Sequence, residues 1–363
     1  MVLYHAYLRS GTGLPRTLAW LIAPFGYGRI AVDIFIVLSG YCLMLPVARS
    51  ADRQLRGGVW EYLKRRARRI LPPYYIAYLL SLGLVLLSEL PRYLLHRPNE
   101  LQAAISPGNI LSHLLLLFNW TTPYRFSING AFWSVATEWQ IYFLFPLVLL
   151  PVWRRFGTLA AVLAGLAVGM ASHYLLQPPG QDGASLYYVG LFGLGMAGAI
   201  ISFSTSELRP PTPDRRPWGS FALALSIPFA IITARVRPLD PWSPALMRHY
   251  TPWSDVWVGL IAMCLLISCA RCKQGPSTGG HTLLLRLLES PAVVKLGAFS
   301  YSVYLTHLAI LDKVNQVALH FRLSPLLSFV WQWLVGTSVA LAVAYLFYLA
   351  VERRFLNARQ SAT

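Results

Sequence analysis

Residues 131–153 read AFWSVATEWQIYFLFPLVLLPVW, an apolar run of membrane-spanning length whose only charged residue is Glu138. An ionised carboxylate in hydrocarbon is costly, so one retained there needs a partner or a task. Of the chain's 14 acidic residues, only Glu138 and Asp33 fall well inside hydrophobic stretches.

The rest of the chain has the same character. Its 363 residues are 56% hydrophobic and only 12% charged, with a mean hydropathy of +0.50. That is too apolar for a water-facing globule, and it predicts an all-α, polytopic transmembrane bundle. In a soluble protein the net charge of +17 would point to nucleic acid, so the location of the cations decides. If residues 49–69 face the cytoplasm, 20 of the 31 lysines and arginines fall in loops on that side. Such a bias orients a membrane protein with its C-terminus in the cytoplasm and accounts for the basic charge without nucleic acid. Cys42, Cys264, Cys269 and Cys272 lie in or beside apolar segments, and the CxxC of the last two has neither a second pair nor nearby histidines. No metal is assigned.

Crossing a bilayer takes about 20 mostly apolar residues. That rule predicts nine complete spans, near 29–48, 70–89, 131–152, 156–176, 185–204, 218–235, 253–270, 292–315 and 326–350. Residues 111–120, LSHLLLLFNW, are too few to cross and read as an interfacial or re-entrant helix. The opening MVLYHAYL has the character of the last turns of a helix, so a tenth, incomplete span is expected at the start. Proline-rich 209–217 and 237–244 are loop punctuation. A single integral-membrane domain over 1–363 is expected.

Titratable groups recur within this apolar frame. His5 lies at the outer end of the first helix, either as a satisfied interfacial residue or as an imidazole suited to proton abstraction. Asp33 begins the next span, where it could orient that imidazole or pair with Arg29 at i,i+4 spacing. Glu138 is nine residues, about 14 Å, beyond the candidate N-cap Asn129 and shares a helix face with Ser134. His307 lies about 22 Å along a helix that starts on the cytoplasmic side. In KRRARR, residues 64–69, the side chains of Arg65, Arg68 and Arg69 share one face of an amphipathic helix starting at Val59, and Pro72 should stop or kink that helix. Guanidiniums there suit phosphates, or they anchor the chain to anionic headgroups. Trp133, Trp139, Tyr74, Tyr75, Tyr301 and Tyr304 belong to interfacial belts, with some free to stack on sugar rings.

At these residues the chain resembles the acyltransferase-3 family of bacterial membrane acyltransferases. The matching segments, in order, are VLYHAYL with His5, VDIFIVLSGYCL, RRARRILPPYY, GAFWSVATEWQIYF, GAFSYSVYLTHLAI and the terminal VERRF. The chain departs from the family pattern twice. It begins too late to include the family's helix-one arginine, so either the start codon is placed too late, which is the expectation here, or this form lacks part of its site, and VERRF has arginine where proline is usual.

The resemblance implies about ten helices, a cytoplasmic acyl-CoA donor and an acceptor hydroxyl on the far side of the inner membrane. It makes His5 the catalytic histidine and Arg65, Arg66 and Arg69 candidates for the CoA phosphates. Glu138 becomes a supporting acid, and Asp33, Ser39 and Gly40 part of the second-helix motif. The expected function is O-acyl transfer, acetyl above all, to an envelope or exported polysaccharide or glycolipid. His5 serves as general base or first acyl acceptor, oriented by Asp33 or Glu138, and Trp133, Ser134, Tyr301 and His307 are candidate acceptor contacts. No tightly bound cofactor is expected, and the partners are acyl-CoA, the glycan and membrane lipid. Two alternatives stand beside it: a flippase or transporter of lipid-linked sugars, with Glu138 and His307 relaying protons, and a lipid-binding sensor or scaffold.

Overall fold

Inside a bilayer a single segment can satisfy its own backbone only as a helix, and helix is what this sequence forms. The computed structural model describes residues 1–10, 14, 23–94, 101–175, 185–203, 217–236, 250–272 and 279–356, and no strand occurs among them. The helices include α1 (Val2–Ser10), α2 (Ile30–Ala48), α3 (Gly58–Leu94), α4 (Phe132–Leu144), α5 (Leu150–Leu175), α6 (Tyr188–Phe203), α7 (Trp218–Val236), α8 (Thr251–Cys272), α9 (Ser300–His320) and α10 (Thr337–Phe347). Proline-rich 237–244 and all of 209–217 except Pro217 lie outside the described residues.

Among the described residues five helical stretches are long and apolar enough to cross a membrane: Ile30–Ala48, Gly58–Pro91, Phe132–Leu175, Thr251–Cys272 and Pro325–Leu356. A bent pair, Pro291–Ala298 with Ser300–His320, makes a sixth. The count is lower than the nine expected for identifiable reasons. Phe132–Leu175 has 44 residues, or about 66 Å of helix, and holds two of the expected spans, separated where Gly157 leaves helical geometry at φ 87°. The helices Tyr188–Phe203 and Trp218–Ala234 are apolar but shorter. The expected span at 292–315 is not straight, because its two parts meet at 71°.

Two further expectations concern proline and helix length. Pro72 does not end its helix, since α3 runs unbroken through Pro72 and Pro73. Proline in such a helix leaves the carbonyls four residues earlier, those of Arg68 and Arg69, without their helical donors, and in the same turn the Tyr301 hydroxyl donates to the neighbouring Ile70 carbonyl at 3.1 Å. The 111–120 stretch divides into Pro107–Leu114, capped by Ser106, and a short turn at Phe118–Trp120, both too short to cross. Tyr74 and Tyr75 of α3 fasten it through the carbonyls of His113 and Leu114, at 3.2 and 2.6 Å.

The chain forms two compact units. The first comprises Met1–Ala31, Lys64–Ala136 and Pro291–Thr363. In it α1 packs on α9, on the π-helical turn Gln332–Gly336 and on α10, while α9 packs along α10. The second comprises Val32–Leu63 and Thr137–Ser290. Its centre is α6, buried along almost its whole length and packed on α5 and α8. Small residues allow that burial: a Cβ on Gly195 would come within 1.9 Å of the Val37 carbonyl oxygen, and one on Gly40 within 2.1 Å of the Phe192 oxygen. Backbones of α2 and α6 therefore touch directly, which is the usual means of association where water supplies no driving force.

Candidate active site

In the first unit, α1 carries His5 to the side of α9. The His5 ring centroid lies 5.2 Å from that of His307 and 4.9 Å from that of Tyr4. Four residues beyond His5, Arg9 forms an ion pair with Asp312, five residues beyond His307. The two contacts follow one another along helices running in the same direction, which fixes the register of α1 on α9. Gly28 lets the turn Ala23–Tyr27 close over α1, because any Cβ at that position would lie 2.1 Å from the Tyr4 Cβ.

His307 is wholly buried, while His5 is half-buried. Nδ1 of His307 lies 2.9 Å from the carbonyls of both Val303 and Tyr304. Carbonyls only accept, so Nδ1 carries the hydrogen and Nε2 keeps the lone pair. That Nε2 is buried and has no hydrogen-bond partner among the described residues.

The other expected acceptor contacts also belong to this unit. Tyr304 donates to the Ala131 carbonyl at 2.8 Å, so the Ser134 hydroxyl donates to Tyr304. The Trp133 ring lies 4.9 Å from the guanidinium of buried Arg125, a cation–π contact. Tyr301 is tied to the α3 backbone as described above. Asn129 performs its expected capping role: Oδ1 accepts from the Ala131 N–H at 3.0 Å, and Nδ2 reaches Ser81 and the Leu305 carbonyl, each at 3.1 Å.

Along α3, Arg65 and Arg66 are half-buried and Arg69 is exposed. The Arg66 Nε is buried with no hydrogen-bond partner among the described residues. Arg69 is within electrostatic reach of Glu352. Glu352 accepts from the Ser302 N–H at 3.0 Å and from the Ser302 hydroxyl, and so places a carboxylate at the start of the helix that carries His307.

In the second unit, Glu138 is 3% exposed and one of its oxygens receives two hydroxyls. Ser39 donates to Oε1 at 3.0 Å and Tyr142 donates to the same atom, with the two hydroxyl oxygens 3.1 Å apart. Asp33 is buried as well. Buried carboxylates among the described residues therefore number four, Asp33, Glu138, Asp255 and Glu352, where sequence reasoning had singled out two. Tyr142 could have been found from its i+4 spacing to Glu138. Glu352 could not, because its partner Ser302 is 50 residues away. Among the described residues no group of three or more His, Cys, Asp or Glu is placed to hold a metal ion.

A family model described as an acyltransferase domain, acyltransferase 3, matches residues 1–349. The chain belongs to the acyltransferase-3 family. A protein of Bacillus subtilis (strain 168) named "Putative peptidoglycan O-acetyltransferase YrhL" is 26% identical over 77% of this chain and 44% of its own length. The O-acetyltransferase OatA of Staphylococcus aureus (strain NCTC 8325 / PS 47) is 24% identical over 79% of this chain and 47% of its own. The regulator of hypoxia-inducible factor 1 of Caenorhabditis elegans is 26% identical over 47% of this chain and 37% of its own. The chain thus spans less than half the length of these curated relatives. No solved structure matches. In this acyltransferase-3 chain the Ser39–Gly40 pair has two physical duties: the serine donates to Glu138, and the glycine admits the α6 backbone.

Proposed function

We propose that this chain is a multi-pass membrane O-acetyltransferase of the bacterial inner membrane, with its C-terminus in the cytoplasm. It takes an acetyl group from acyl-CoA and places it on a hydroxyl of an envelope polysaccharide, peptidoglycan being the acceptor class in the name of one relative. Residues 1–363 work as one domain. The observation that carries this reading is the ring contact between the His5 and His307 imidazoles, centroids 5.2 Å apart, in a unit that also holds Arg65, Arg66 and Arg69.

His5 is the general base. It takes the proton of the acceptor hydroxyl as that oxygen bonds to the thioester carbonyl carbon, and it returns the proton to the departing CoA thiolate when the C–S bond breaks. Asp33 and Glu138 act as supporting acids. The guanidiniums of Arg65, Arg66 and Arg69 hold the CoA phosphates. Trp133 and Ser134 shape the acceptor side, while Tyr301, bonded to the Ile70 carbonyl beside Arg69, belongs to the arginine end.

The test is acetyl transfer from labelled acetyl-CoA to a peptidoglycan-type glycan by the membrane-inserted protein. His5→Ala should lower the rate about 100-fold or more, the contribution expected of a general base. An undiminished rate in His5→Ala would remove this role. Glycan translocation with no consumption of acetyl-CoA would replace the transferase by a flippase.

A further inference from the structure

We propose that His307 is a positioning residue for His5: its Nε2 accepts a hydrogen bond from the His5 imidazole, leaving the other His5 nitrogen to face the acceptor hydroxyl. The inference rests on the reading of His5 as general base, and it moves His307 from the expected role of acceptor contact to that of a neutral partner for the base.

A general base must present its lone pair to the substrate, and in an imidazole the nitrogen that does so is decided by what the other one bonds. The usual partner is a carboxylate or a carbonyl. On α1 the neighbour in ring contact across the helix interface is another imidazole. An imidazole can accept only if its own hydrogen is committed elsewhere, and the α9 backbone commits it, because Nδ1 points at the carbonyls of Val303 and Tyr304 at 2.9 Å. Nε2 is therefore an acceptor by necessity, fully buried, with nothing else among the described residues to bond. A buried acceptor left without a donor is destabilising, so the site favours any small shift that brings a donor to it. The two rings are tilted by 47° with centroids 5.2 Å apart, and the movement the proposal requires is a turn of the His5 ring toward Nε2, with His307 kept in place by its bonds to the α9 backbone. The Arg9–Asp312 pair one turn along holds the helices together while this happens.

In the transfer step, the hydroxyl proton goes to the free nitrogen of His5 and the resulting imidazolium donates its other N–H to His307. The proton then leaves with the CoA thiolate, and His307 ends as it began.

Two substitutions separate the nitrogens of His307. His307→Asn retains an N–H where Nδ1 was, keeping the bond to the helix backbone, but has nothing at the position of Nε2. His307→Gln places an amide oxygen near Nε2, where it can still accept. With membrane level and melting temperature recorded for each, His307→Asn should lower kcat about 10–100-fold, the usual effect of losing such an outer partner. KM for the glycan and for acetyl-CoA should stay within about twofold, and His307→Gln should recover most of the loss. A wild-type kcat in His307→Asn overturns the inference, as does equal loss in both variants, or a loss confined to KM for the glycan. If His5→Ala is itself fully active, the base assignment has failed instead, and the two failures are thereby told apart.

Discussion

Glu138 gathers two hydroxyls onto one oxygen, from Ser39 and from Tyr142, inside a segment that lipid should keep free of charge. Hydrogen bonds to a charged group are worth about 1.5–3 kcal/mol each, so this arrangement makes an ionised carboxylate tolerable there. A glutamine at the same position keeps a carbonyl oxygen that can accept both hydroxyls, while it loses the charge and exchanges the second oxygen for an amide NH2. Glu138→Gln should therefore insert and melt like the parent, yet acetylate glycan about 100-fold more slowly if the carboxylate supports proton transfer. Wild-type activity in that variant would reduce Glu138 to a packing role. Tyr142→Phe tests the other half: removing one donor should destabilise the detergent-solubilised protein by about 1–3 kcal/mol, read as a lower melting temperature.

Among the helices, the contact of α2 with α6 depends on glycine at two crossing points. Gly195→Ala puts a methyl group 1.9 Å from the Val37 carbonyl, which cannot retreat without moving α2. Overpacking of this kind costs about 1–3 kcal/mol and should appear in thermal melting. Gly83→Ala on α3 is the control, since a Cβ there meets nothing within 4 Å and helix propensity alone favours alanine by about 1 kcal/mol. At this scale the sequence discloses what local chemistry decides. Asn129 turns its side-chain oxygen back to the Ala131 N–H two residues on, and 111–120 is too short to cross whatever its neighbours do. It does not disclose what distant segments decide. Pro72 sits within a helix that continues, α9 starts where Glu352 supplies a carboxylate from 50 residues away, and π-helical turns interrupt the run after Pro325. Each of those outcomes depends on a partner that no window of sequence contains.

Across the whole chain, the start of α3 carries the densest cluster of cations, KRRARR at residues 64–69. The His5 site was legible as a histidine in the right motif, but not as a pair, because hydropathy gives α1 and α9 no register. The arginines were legible as a cluster, and only the structure divides half-buried Arg65 and Arg66 from exposed Arg69, which lies near Glu352. This division yields a prediction that separates phosphate recognition from lipid anchoring. Lysine preserves charge but not the planar fork that grips a phosphate through two N–H groups. If these side chains only hold anionic headgroups, replacing both Arg65 and Arg66 by lysine should leave catalysis untouched, because anchoring depends on charge near the surface. If they hold acyl-CoA, KM for acetyl-CoA should rise about tenfold, with kcat nearly unchanged and with KM steeper in salt. Inside-out membrane vesicles, which expose the cytoplasmic face, should show that change and should accept acetyl-CoA from the medium, whereas right-side-out vesicles should not. Equal use of acetyl-CoA from both faces would contradict the orientation inferred from the basic loops, and an unchanged KM would leave the cluster to the lipid.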